Sequence, residues 1–437
     1  MNEYSQELLS FIAASPSVFH TVSTIRSRLD AAGFTRLKEG RQWDIRQGQG
    51  YYVIRNDSSI LAFRIPAVLE DYHFQLAAAH GDSPTFKIKA EPELSGPGEY
   101  LRLNVEAYGG MLDYTWLDRP LSVAGRVLVR EGNRLVSRLL YLDRDILLFP
   151  SVAIHMNRNA NSGLAFNRQV DLCPLFSAGA LKKGGFDHML ADALDVSADS
   201  ILGKDLYLVN RQPGRVWGWK DEFVSAPKLD DLQAAYAALE GFLSAGDSGA
   251  ISVYCCFDNE EVGSNTMQGA MSTFLPDTLR RLNRALGKSE DDYCAAVANS
   301  FLVSFDNAHA VHPNHPEKTD AANCCYLNKG IVIKENAAQK YTTDAFSRAV
   351  FSELCRKAEV PFQLFANRSD SAGGSTLGNI SNTQVSLHAV DIGLPQLAMH
   401  AAYETAGAFD TGYAVNALRF YYETNIRLDE TEFAVLE

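Results

Sequence analysis

At 437 residues the chain is too long for one ordinary core, which predicts two domains. Its 46% hydrophobic and 21% charged content is that of a globular chain, neither membrane-embedded nor disordered. The formal net charge of −13, with no basic cluster against it, excludes nucleic acid as a partner, because phosphate binding needs a basic footprint.

No apolar run approaches the ~20 residues of a membrane span. The stretch Asn2-Glu3-Tyr4-Ser5-Gln6-Glu7 lacks the basic and apolar regions of a signal peptide. Seven cysteines, with two adjacent pairs and no Cys-x-x-Cys, predict reduced thiols and a cytoplasmic location.

Residues 4–33 have helical periodicity, broken into two helices at Ser15-Pro16-Ser17, with Ser17 as N-cap. Gly50 to Ile65 alternates around a turn at Asn56–Ser59, the pattern of a hairpin. Phe74 to Ala79 is a short buried strand ending at His80-Gly81-Asp82-Ser83-Pro84. From there to about Pro150 short strand-like runs are broken by Gly and Pro, which predicts a β-rich insert. Residues 151–220 are mixed, with a poorly periodic loop near Asn157–Asn161, a helix at 185–195 and a strand at Asp205–Val209. The α/β pattern returns near Asp221: a helix at 231–245, a strand at 251–257, a helix at 267–286 and a strand at Ser300–Phe305. A helix at Ala345–Lys357 follows, capped by Asp344, then a strand at Pro361–Ala366. The last strand is expected at Leu394–Met399, with a helix at 410–423. Strands alternating with helices predict an α/β fold: a mostly parallel central sheet with helices on both faces. The division that results is 1–84, an insert at 85–219, and 220–437.

Four strands in this reading end in a candidate ligand: His80, Glu261, Asp306 and His400. In open α/β sheets the carboxyl ends of the strands line the ligand crevice, so residues dispersed in sequence converge there. Asp230, just before a helix, is a fifth candidate. Two histidines and three carboxylates without cysteine suit zinc, with cobalt or manganese as substitutes. Five ligands exceed one tetrahedral site and suit two metals ~3.5–4 Å apart. Glu260 and Glu261 are adjacent, so their side chains diverge. One can bind metal while the other, Glu260, takes a proton from water as general base. Asp82, two residues beyond His80, can hold that ring's tautomer. His309, His312 and His315 recur every third residue, but Pro313 and Pro316 break any shared helical face, and they are read as structural. Gly373–Gly378 lacks dinucleotide spacing and reads as a turn into a helix.

These motifs resemble the M18 aminopeptidases, the aspartyl aminopeptidase family of clan MH. The resemblance runs through Ser15–His20, His80–Pro84, Tyr108–Gly110, Trp116–Arg119, Ala124–Val127, Pro150–His155, Pro227–Asp230, Asp258–Ser264, Asp306 with Ala308–Asn314, Gly374–Thr376 and Met399-His400. It implies two divalent ions per subunit. Asp230 would bridge them, His80 and Asp306 would complete one site, and Glu261 and His400 the other. Glu260 would be the base and Asp82 would orient His80. It further implies that the insert is a dimerisation domain and that His155 reaches the partner subunit's site to help hold the substrate carbonyl. The assembly would be a tetrahedral dodecamer acting on peptides. Lys334 matches a lysine associated with an acidic first residue, so the expected activity is release of an N-terminal residue, acidic or of a broader set. The chain departs from the family pattern at Asp231 (usually Asn), Asn307 (commonly Met, and expected to reshape the cleft), Pro120, Met111 and Gly81.

Two other functions fit parts of the pattern. A clan MH deacylase would act on N-acyl amino acids and need no free substrate amine. A non-catalytic assembly or cargo shell would keep the fold without the chemistry, and the intact Glu260 and ligand set stand against it.

Overall fold

The apolar strands predicted near His80, Glu261 and Asp306 lie side by side at the middle of a 9-stranded sheet. The computed structural model, describing residues 2–69, 71–371 and 373–437, gives the order Thr35–Leu37, Gly50–Arg55, Ser59–Arg64, Ile251–Phe257, Phe74–His80, Phe301–Phe305, His388–Gly393, Ile331–Glu335 and Phe362–Ala366. Five of the eight neighbouring pairs are parallel.

The central strands are buried along their length and mostly apolar, because both faces are covered. Successive side chains point to opposite sides, so the sheet separates two cores. Tyr254, Cys256, Ala77 and Val303 face one core with helices Asn2–Ala13, Val18–Ala31, Leu229–Ser244, Ala345–Lys357 and Asp410–Glu423. Val253, Cys255, Leu76 and Leu302 face the other, under helices Phe274–Ala285 and Glu290–Ala298. The adjacent thiols Cys255 and Cys256 are thus buried on opposite faces.

Six of the insert's seven strands form a 6-stranded sheet in the order Arg134–Tyr141, Leu121–Glu131, Ile201–Asn210, Thr85–Ser95, Tyr100–Tyr108 and Leu175–Ala178, all antiparallel. A further 5-stranded sheet orders Arg215–Trp217, Phe223–Ala226, Glu404–Gly407, Pro395–Leu397 and Ala308–His309.

Several local expectations are corrected. Leu394–Met399 is not one strand leading into His400. The central-sheet strand is His388–Gly393, and Pro395–Leu397 belongs to the smaller sheet. Asp391 and His388 hide the first strand's apolar pattern, yet the Asp391 carboxylate is fully buried, accepting from the hydroxyls of Ser304, Thr342 and Thr376. The helix expected from 267 starts only at Phe274. Thr266 and Gln268 instead donate to the Asn259 side-chain oxygen at 2.8 and 2.7 Å, holding that segment against the Glu260 loop. Ser17 stands at the N-cap position without capping, since its hydroxyl pairs with His20 Nδ1 at 2.8 Å. By contrast, Asp344 caps its helix as expected, in a capping box with Ser347.

Candidate metal centre and substrate cleft

Strand register brings the candidates together. Phe257 stands opposite His80 in the parallel pair, so the turn after Phe257 carries Glu260 and Glu261 past the His80 ring. Phe301–Phe305 flanks Phe74–His80 on its other side and delivers Asp306. Asp230 and Asp231 enter the Leu229–Ser244 helix with non-helical φ/ψ, across a cis peptide. His400 lies in a turn at φ 64°, not at a strand end.

The geometry divides the candidates into two groups. His80 Nε2 is 3.5 Å from Asp230 Oδ1 and 3.9 Å from Asp306 Oδ1. His400 Nε2 is 3.3 Å from Asp230 Oδ2 and 3.4 Å from Glu261 Oε2. The two oxygens of Asp230 therefore face different groups. Glu260 Oε2 lies 4.0 Å from His80 Nε2, beside both.

These residues fit metal. His80, Asp230, Asp231 and Asp306 can each offer a ligand atom within 4.8 Å of the others, and so can Asp230, Glu261 and His400. Buried Asp230 Oδ1 and Glu261 Oε1 have no hydrogen-bond partner. Buried carboxylate oxygens without partners are costly unless a cation meets them. The charge balance agrees. Burial, reinforced by Asp306, Asp82 and Asp230 and opposed by His80, pushes Glu260 up to about 8. Burial also pushes Asp306 up to about 6, against the pull of Lys334. Asp230 alone is held low, because the His400 and His80 rings that face its two oxygens overcome its burial. A divalent cation would stabilise all these carboxylates in their charged form.

Asp82 does more than steady His80. Its Oδ1 lies 3.3 Å from His80 Nδ1, its carboxylate accepts the backbone N–H of Glu260 and of Glu261 at 3.2 Å each, and the Tyr108 hydroxyl donates to it at 2.6 Å. Asp231 accepts the His80 N–H at 3.2 Å. Asn307 lines the adjoining cleft, and its amide donates to Leu229 O, Gln233 and Gln396 beneath the Asp230 loop.

A cleft of ≈ 170 Å³ adjoins the centre, lined by His309, Lys334, Tyr341, Phe365, Ser375 and Met399 among others. Lys334 is only 2% exposed, and its ammonium donates to the Asp306 carbonyl at 2.8 Å. His309, read from sequence as structural, is a wall of this cleft, while exposed His312 and His315 pair with each other outside it. His155 sits in an exposed turn of the insert, outside its own subunit's cleft. Its neighbours Val152, Ile154 and Met156 are exposed apolar side chains. Glu404 is a further buried carboxylate beside the centre, and nothing in the sequence singles it out.

A His–carboxylate cluster at the carboxyl ends of parallel strands, beside a cleft, defines a metalloenzyme. Comparison with known proteins narrows the class. The family described as "Aminopeptidase I zinc metalloprotease (M18)" matches residues 11–422. A relative named "Probable M18 family aminopeptidase 2", from Clostridium novyi (strain NT), is 46% identical over 96% of this chain and 98% of its own. Among solved structures, the chain in the Ape4 and Nbr1 complex superposes with a TM-score of 0.93 at 34% identity, over 96% of this chain and 85% of that one. The S. cerevisiae mApe1 dodecamer superposes with a TM-score of 0.83 at 25% identity, over 97% of both chains. The chain belongs to the M18 family of zinc aminopeptidases, and it is a metalloaminopeptidase.

Proposed function

We propose that this enzyme is a dinuclear aminopeptidase that removes the N-terminal residue of peptides with Glu260 as general base. The observation that carries this is the split of Asp230: one oxygen toward His80 and Asp306, the other toward His400 and Glu261. Asp230 would then be a ligand common to two ions, most simply zinc, with His80 and Asp306 completing one set and His400 and Glu261 the other. Bound there, the ions supply Lewis acidity, acidifying water and polarising the scissile carbonyl. Glu260 takes a proton from the attacking water and delivers it to the leaving amine nitrogen as the C–N bond breaks. Asp82 fixes the Glu260 and Glu261 backbones and the His80 ring. The cleft receives the first side chain, with Lys334 at its wall for an acidic one and Tyr341, Phe365 and Met399 for a broader set.

Oligomerisation is part of the reading. One structural relative is solved as a dodecamer. We assign residues 85–219 as an inserted dimerisation domain, placing His155 in the partner subunit's site on a substrate carbonyl, within a tetrahedral dodecamer. The apolar side chains exposed around His155 suit burial against a second copy. Among the described residues every cysteine is a free thiol and no helix is long and apolar enough to cross a membrane; we place the enzyme in the cytoplasm.

The test is a panel of Asp-, Glu-, Ala- and Leu-anilides, each with a free and an N-acetylated amine, assayed with zinc-loaded and chelator-stripped enzyme. Zinc-dependent turnover of the free amines is expected. Turnover of only the acetylated ones would make it a deacylase, and turnover without metal would sink the mechanism.

A further inference from the structure

The smaller sheet sets two of the candidate ligands side by side. Phe223–Ala226 pairs with Glu404–Gly407, Ala226 opposite Glu404, and leads on into Asp230. Pro395–Leu397 pairs with the other edge of Glu404–Gly407 and leads on into His400. Glu404 therefore begins the strand that lies between the two ligand loops, and it is 1% exposed. Its Oε2 accepts the Asp230 N–H at 3.0 Å, and its Oε1 accepts the His400 N–H at 2.7 Å. The Gln396 amide makes a longer contact to Oε1 at 3.4 Å.

We propose that Glu404 is a positioning residue for the site formed by Asp230, Glu261 and His400, its two oxygens setting the backbones from which Asp230 and His400 reach the ion. The inference rests on the two-metal reading. A carboxylate suits the place because it offers acceptors on both oxygens and no donor. A carboxamide keeps one acceptor and turns its NH₂ toward the second backbone N–H, so one of the two loops is released. The other site has a different anchor. His80 leans on Asp82 and Asp231, and Asp306 on Lys334, so a change at Glu404 reaches it only through the shared Asp230 and disturbs it less. Loss of an outer partner of this kind weakens metal binding roughly 10- to 100-fold.

The experiment compares the assembled wild-type enzyme with Glu404→Gln in buffers of graded free zinc, reading zinc per subunit by mass spectrometry. The wild type is expected to hold two ions. Glu404→Gln is expected to lose roughly 10- to 100-fold in affinity for one ion and clearly less for the other, which shares only Asp230 with the disturbed site. Its peptide hydrolysis should return at high free zinc with KM unchanged. Glu404→Asp, which keeps both oxygens on a shorter stem, should fall between the two and guards against misfolding of the first variant. Unchanged affinities, or equal loss at both sites with a lower Tm of the metal-free protein, would overturn the assignment. A wild type that holds fewer than two ions would overturn the two-metal reading and this inference with it, whereas two wild-type ions with no selective loss in the variants would overturn this inference alone.

Discussion

Lys334 offers the sharpest test of how the cleft reads its substrate. Its ammonium is buried, donates to the Asp306 carbonyl at 2.8 Å and lies 5.1 Å from the centre of the Tyr341 ring. Burial alone would lower its pKa, but Asp306, Tyr341 and Asp391 more than reverse this, so it stays charged. An ammonium has three donors, and the Asp306 carbonyl takes one, leaving capacity for a substrate carboxylate. Lys334→Met keeps the length of the side chain and removes the charge. A hydrogen bond to a charged group contributes about 1.5–3 kcal/mol, so the preference for an acidic over an apolar first residue should fall roughly 10- to 150-fold. The assay is kcat/KM on Asp- and Leu-anilides, taken as a ratio so that general damage cancels. Support of Asp306 through its carbonyl is the competing role, and its loss would slow both substrates equally. A ratio unchanged in Lys334→Met would show that the lysine only braces the strand end.

Two other predictions concern the assembly and the fold. If His155 serves the neighbouring site, His155→Ala and Glu260→Gln subunits, each nearly inactive alone, should complement when co-assembled, random pairing leaving roughly one site in four with both groups; activity no higher than that of the separate parents would refute the shared site. Burial, with Lys228 nearby, holds His20 down at about 4 from 6.5, so between those values the unfolded chain takes a proton that the folded one refuses. Stability should therefore fall as pH drops through that window, by at most ~3 kcal/mol and by less for a partly exposed ring. Urea midpoints at pH 7 and 5 should lose that part of the difference in His20→Gln, and an unaltered pH slope would contradict the assignment.

The sheet was legible where both faces are buried, because an unbroken apolar run of strand length has few other readings. Phe74–His80, Ile251–Phe257 and Phe301–Phe305 come close to this, each broken by one uncharged polar residue (Gln75, Ser252, Ser304), and the residues at or just beyond their ends converge. Where a buried carboxylate sits inside the strand, as Asp391 does in His388–Gly393, the pattern fails, because its three hydroxyl partners are far apart in sequence. His400 was placed near the others for a partly mistaken reason: it arrives from the smaller sheet through a turn. Local hydrogen bonding also hid the helix Glu290–Ala298, although its Ser289–Asp292 capping box was there to be read. Glu404 and His309 were beyond reach for a different reason. Their roles come from which strand lies beside which, and neither a lone glutamate nor a histidine in a proline-rich stretch carries that information.

The proposed two-metal mechanism turns on Glu260, whose carboxylate lies 4.0 Å from His80 Nε2 and groups with His80 and Glu261. The most direct measurement is kcat of Glu260→Gln on a free-amine peptide, taken while zinc per subunit is counted in the same sample. Removing a general base should lower kcat by about 10²–10⁴-fold with two ions still bound. Activity within a few-fold of wild type at full zinc would contradict the mechanism.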